Sequence, residues 1–127
     1  MLYLYEVILD RVIDGDTVDV IIDLGFYISI KKRIRFARIN APETRTRDLL
    51  EKKAGLITKQ AVIDILPTDT PFFLQSLGVG VYGRVLGELY VTDPITPELA
   101  PTIIDGIKYY SLNQYLLDNN LAELYDG

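Results

Sequence analysis

Between Tyr3 and Ile39 the chain runs through three successive stretches of strand pattern with no helical periodicity among them, which limits its first third to a β-meander. Tyr3 to Ile13 is rich in β-branched and aromatic residues. Asp14-Gly15 then supplies turn chemistry, and Thr17 to Ile22 alternates Val18, Val20 and Ile22. After a second turn at Asp23 to Gly25, the segment Phe26 to Ile39 sets Ile28, Ile30, Ile34 and Phe36 against Lys31, Arg33 and Arg35. One face is apolar and the other positive. Asn40-Ala41-Pro42 ends the strand, because proline withholds a ladder donor and restricts the residue before it.

From about Leu50 to Leu66 the period changes. Ala54, Ile57, Ala61, Val62 and Ile65 recur at three- and four-residue spacing, the mark of an amphipathic helix, and Pro67 closes it. Phe72 to Leu77 and Val85 to Val91 read as two further strands on either side of the glycine-punctuated run from Gly78 to Arg84. Asp93 to Asp105 contains Pro94, Pro97 and Pro101 and reads as an irregular loop. Ser111 with Gln114 three residues on resembles a capping box, so a short helix should follow to about Asn119. Five strands, with one helix between the third and fourth and a second near the C-terminus, predict a mainly β α+β fold of the OB-barrel type. At 127 residues the expectation is one domain spanning 1–127.

Composition narrows the chemistry. The chain has no Cys and no His, which excludes disulfides, thiolate zinc sites, Ser-His-Asp triads and imidazole bases. Hydrolysis would have to rest on carboxylates, arginines, lysines, tyrosines or an oxygen-ligated hard cation. No run reaches the apolar length of a membrane span, and Met1 to Ile8 lacks the features of a secretory signal, so the expected setting is the cytoplasm. The net charge of −5 hides a segregation: Lys31 to Lys59 holds ten basic and three acidic residues, and the remainder three basic and fifteen acidic. A local positive field of this kind can attract a polyanion from an otherwise acidic surface; a solvated basic helix face and strand would read the same way.

Three segments carry candidate chemistry. In Ile13-Asp14-Gly15-Asp16-Thr17-Val18, Asp16 offers a carboxylate at a strand start, although Asp-Gly between strands is also a common hairpin turn. In Arg35-Phe36-Ala37-Arg38-Ile39-Asn40-Ala41-Pro42-Glu43-Thr44, Arg35 and Arg38 differ by an odd number and should face opposite ways, with Glu43 just past a proline-stiffened loop. The third is Tyr82-Gly83-Arg84. Each alone has a structural explanation.

Together, in this order and at similar spacing, they resemble the staphylococcal nuclease family from about Val12 to Asp126, including a later helix ending in Asn119-Asn120-Leu121-Ala122. The resemblance implies an OB-type barrel and a calcium-dependent phosphodiesterase acting on DNA and RNA, single strands preferred, and leaving 3′-phosphate ends. It implies Arg35 and Arg84 as phosphate-binding arginines, Glu43 as general base, and Asp16, Asn40 and the Ala41 carbonyl as ligands of calcium, magnesium or another hard cation. Tyr82 would contact substrate. Asn40 stands where the family has a carboxylate, so weaker cation binding is expected; Val81 stands where a lysine is common. The rival expectation is a non-catalytic nucleic-acid-binding module on the same fold.

Overall fold

The structure is a computed structural model that describes residues 3–79 and 84–125. Strands β1 (Leu4–Asp14), β2 (Thr17–Asp23) and β3 (Ser29–Phe36) form the expected meander. A two-residue strand β4 (Ile39–Asn40) precedes helix α1 (Leu49–Ile65). Then come β5 (Phe72–Val79), β6 (Val85–Val91), the hairpin β7 (Thr102–Ile104) and β8 (Ile107–Ser111), helix α2 (Leu112–Asp118) and β9 (Glu123–Leu124).

Five strands close on themselves in the order β3-β2-β1-β5-β6, with β6 returning to β3 in parallel through Ile34↔Val85, Arg35↔Leu86 and Phe36↔Gly87. The other barrel pairings are antiparallel. This is an OB-like closed barrel with two helices. Alternation fills its interior with Val7, Val18, Val20, Ile22, Ile34, Phe36, Leu74 and Leu89, against which Val62 and Leu66 of the α1 end and Leu112 and Leu116 of α2 pack. No helix among the described residues is long and apolar enough to cross a membrane.

Three expectations need correction. Ile28 and Ile30 are 56% and 37% exposed rather than core residues. The β6 strand reaches only Ile34 to Phe36, so the first half of β3 pairs with β2 alone and extends past the closed part of the barrel. Phe26 and Tyr27 are not strand residues; both have positive φ and lie in the turn. Second, the buried face of α1 is Gly55, Thr58 and Val62, while Ile57 is 53% exposed. Close backbone approach favoured the small residues. Third, the proline-rich stretch contains β7, joined to β8 through Asp105-Gly106, where φ is +51° and +79°. Positive φ at both central residues is the geometry for which Asp-Gly is favoured, so the signal was present.

The charge map also changes. Two cations of the basic strand β3 are paired with acids that lie outside its own segment: Lys31 meets Asp10 at 2.9 Å, and Arg33 meets Asp19 at 2.8 Å, with Arg11 on the same carboxylate. Asp19 is 5% exposed, and hydrogen bonds, first from Arg33, hold its carboxyl below the ordinary carboxylate range despite the opposing effect of burial. With the folded value below the unfolded value of about 3.9, the stabilisation is full above that pH and is lost as pH falls through the folded value. Acid unfolding followed by circular dichroism should therefore show a shallower stability loss below about pH 4 in Asp19→Asn than in the parent. An unchanged acid limb would place the acid-sensitive carboxylate elsewhere.

Candidate functional site

The β1–β2 turn lies where OB-like barrels place a ligand-contacting loop. Asp16 sits in this turn, and Arg84 lies one residue before β6. Gly15 has no positive φ; it is demanded by packing, since a Cβ there would lie 2.5 Å from Thr58 Cγ2 and 3.1 Å from Ala41 Cβ. Helix α1 thereby presses the turn against the segment after β4.

Two bonds pin that segment across the turn. The Ala41 N–H donates to Asp16 Oδ2 at 2.9 Å, and the Thr44 hydroxyl donates to Asp14 Oδ1. Glu43 is held between the two anchors with its side chain exposed, and its N–H donates to Glu51 Oε1 at 3.4 Å. From below, Gly55 touches the same backbone: a Cβ would lie 2.6 Å from the Pro42 carbonyl oxygen and 2.8 Å from that of Glu43. In a helix interior alanine is normally favoured over glycine by about 1 kcal/mol, but overpacking against backbone costs about 1–3 kcal/mol. Gly55→Ala is thus expected to lose stability in urea titration and to displace Glu43; an alanine variant of undiminished stability would show that the loop yields freely.

Arg35 is the most constrained side chain here. Nη1 donates to the carbonyls of Phe36 at 3.0 Å and Ile39 at 2.9 Å and lies 3.4 Å from Asp16 Oδ2, while Nη2 donates to Asn40 Oδ1 at 3.1 Å. Only 13% of its side chain is exposed, and its Cζ lies 5.9 Å from the Tyr125 ring centroid. The register sets Arg35 beside Leu86, and Arg84 lies one residue before β6 begins. Beside Arg35 opens an apolar cleft of about 400 Å³ lined by Phe36, Leu86, Leu124 and Tyr125 among others.

No family model matches this chain, and no curated protein matches its sequence. The site must be argued from its own geometry.

The structure brings together Asp16, Arg35, Asn40 and Ala41 by direct contact, whereas Glu43, two residues past Ala41, and Arg84, one residue before β6, make no hydrogen bond or ion pair with them among the described residues. Tyr82 and Val81 lie outside the described residues. The expectation that Arg38 faces opposite to Arg35 is corrected: Arg38 lies past the end of β3 at φ +71°, where strand alternation no longer holds, and it lines the same cleft as Arg35 while clamping Glu88 at 2.6 Å. Among the described residues there is no cluster of three His, Cys, Asp or Glu side chains. The donors available to a cation are the Asp16 carboxylate, the Asn40 amide oxygen and the Ala41 carbonyl. Both side-chain oxygens contact the Arg35 guanidinium, Asp16 Oδ2 at Nη1 and Asn40 Oδ1 at Nη2. They suit a hard cation in kind, with a single formal charge and with Arg35 as internal competitor.

Sequence reasoning missed Tyr125 and Asn113. Asn113 is fully buried, its Oδ1 accepting from Leu89 N at 3.0 Å and its Nδ2 donating to the Ala37 and Gly87 carbonyls at 2.9 and 3.1 Å. It fastens α2 to the β3 exit and β6, the strands that carry the arginines. An apolar-face scan passes over an Asn in this place.

Proposed function

We propose that this protein is a nuclease of the staphylococcal-nuclease type, hydrolysing phosphodiester bonds of DNA or RNA. The observation that carries the reading is the pre-ordered Arg35, held by four oxygen contacts beside an apolar cleft; Arg84, two residues before Leu86 of that cleft, is the second arginine of the proposal. Two guanidinium forks can hold the non-bridging oxygens of a phosphodiester as charge builds on them, and the cleft can take the neighbouring base. Water attacks phosphorus, its proton passes to the Glu43 carboxylate, and the bond to the 5′-oxygen breaks. That oxygen takes a proton from solvent, leaving a 3′-phosphate.

Asp16, Asn40 and the Ala41 carbonyl would hold a calcium or magnesium ion, which when bound supplies further neutralisation of phosphate charge. Adding a second carboxylate with Asn40→Asp is expected to tighten calcium binding about tenfold in calorimetry. Unchanged affinity would remove Asn40 from the ligand set.

The deciding experiment incubates single-stranded DNA, duplex DNA and RNA with the protein across calcium and magnesium series, with EDTA and Glu43→Gln as controls. Cleavage lost in both controls supports the nuclease. A second reading, a non-catalytic nucleic-acid-binding module, is favoured by one feature: the Asp16 oxygens already accept from Ala41 N and the Thr17 hydroxyl. Binding that weakens with salt but leaves every substrate intact would support that reading instead.

A further inference from the structure

The outer face of β6 continues past the site. Leu86, Glu88 and Tyr90 alternate along it, and side chains on one face of a strand repeat about every 6.6 Å. Leu86 belongs to the cleft beside Arg35. Glu88 and Tyr90 belong to a second cleft, of about 370 Å³, whose other walls include Gln75, Leu77, Leu99 and Thr102. Arg38 lines both. It is a fixed partition, because its Nε and Nη2 bind the two oxygens of Glu88 at 3.3 and 2.6 Å and its Nη1 donates to Gln114 at 3.2 Å.

We propose that the second cleft is a subsite for a further, unstacked base of a single-stranded oligonucleotide whose phosphate is held at Arg35 and Arg84. The inference rests on the nucleic-acid reading given above and adds the path of the strand.

The chemistry of the cleft suits a base rather than a phosphate or a cation. Glu88 is 5% exposed, and its oxygens are taken by Arg38 and by the Ser111 hydroxyl at 2.7 Å, so it offers no open carboxylate to a metal. The same carboxylate in the floor disfavours a phosphate group there. The Tyr90 hydroxyl donates to Gln75 Oε1 at 3.1 Å, which orients the amide and keeps its NH2 as a donor. The lining is more polar than apolar, with Leu77, Leu99 and Ala100 as its apolar part, so the cleft offers fixed polar groups to the edge of a base and a smaller apolar surface to its face. A base in a duplex cannot enter without leaving its stack. The β7–β8 hairpin supports the cleft from behind: Tyr109 packs edge-on against Phe73 and Tyr90, with ring centroids 5.3 and 6.1 Å apart.

The test measures binding of oligothymidylates of two to six nucleotides by calorimetry, in calcium, to the Glu43→Gln protein so that substrate survives. Affinity is expected to rise about tenfold over the length step that reaches the second cleft, the gain typical of one more contacted base. Ala100→Trp at the exposed rim, and separately Gln75→Ala, should each cut that gain to less than about twofold, with thermal unfolding reporting that the variants are folded. A flat length dependence, a gain that survives both variants, or equal affinity for duplex and single strand would overturn the subsite while the nuclease reading stands. Failure to bind an oligonucleotide of any length would overturn the nucleic-acid reading itself.

Discussion

Asn113→Ala should lower the stability of the protein by about 3 kcal/mol or more, the largest loss expected from any single truncation of a polar side chain here. Asn113 satisfies one backbone N–H and two carbonyls at a point with no solvent access. Removing it orphans the Leu89 N–H and the Ala37 carbonyl, while the Gly87 carbonyl keeps the Ala37 N–H at 2.9 Å, and each unsatisfied buried group costs about 1–3 kcal/mol. The neighbours reinforce the argument. Ser111 caps α2 by accepting from Gln114 N at 3.0 Å, and the helix ends in a Schellman motif: Leu121 N donates to the Leu116 carbonyl at 2.9 Å and Asn120, at φ +57°, donates to that of Leu117. Leu121 in turn gives its carbonyl to the Thr58 hydroxyl at 2.6 Å, so α2, its exit and α1 form one bonded unit. Urea denaturation is the measurement. A loss under about 1 kcal/mol would mean that water replaces the amide, and the link between α2 and the arginine-bearing strands would then be weak.

For activity, the largest effect is expected at Arg35. Arg35→Ala should reduce kcat about 10²- to 10³-fold, the usual consequence of losing one fixed donor to a developing oxyanion. Arg35→Lys should recover little, because a lysine ammonium cannot reproduce the fork that spans the Phe36 and Ile39 carbonyls and Asn40. Alanine also leaves Asp16 without its cation at 3.4 Å, so stability must be measured beside kcat. If kcat is unchanged in a folded Arg35→Ala protein, Arg35 is a structural tie of the β3 exit and the proposed chemistry is wrong.

Much of the frame was legible before any coordinates. The span Val85–Val91 agrees with its sequence reading, α1 begins one residue earlier than expected, and the Ser111 cap is where its spacing put it. Alternation, three-to-four periodicity and caps are local properties that a run of ten residues expresses completely. The misreadings share a cause of the opposite kind. Ile57 carries the periodicity of a core residue, yet Gly55 and Thr58 are buried instead, because the helix had to approach the Pro42 and Glu43 carbonyls and the turn at Gly15. The β7–β8 hairpin was passed over because three prolines outweighed Asp105-Gly106, although these lie before the hairpin and take no part in its ladder.

The candidate site divides the same way. Asp16 and Arg35 could be named from their segments, Asn40 and Ala41 only through the resemblance those segments carry together, and the fold brings the four into contact. Tyr125 could not, since its place over Arg35 depends on Tyr125 N donating to the Arg38 carbonyl at 2.7 Å across most of the chain.

By itself, then, the sequence determined the order of the five barrel strands and two helices, most of the apolar alternation that fills the barrel and the residue types available for hydrolysis. These follow from local periodicity and composition. Only the tertiary structure decided which charges remain to meet a ligand. A segment rich in basic residues proved to be answered on β3 and at its exit by Asp10, Asp16, Asp19 and Glu88, acids brought to it from other strands and turns. Coulomb attraction depends on distance in space, and closing the barrel places those partners within 4 Å whatever their separation along the chain.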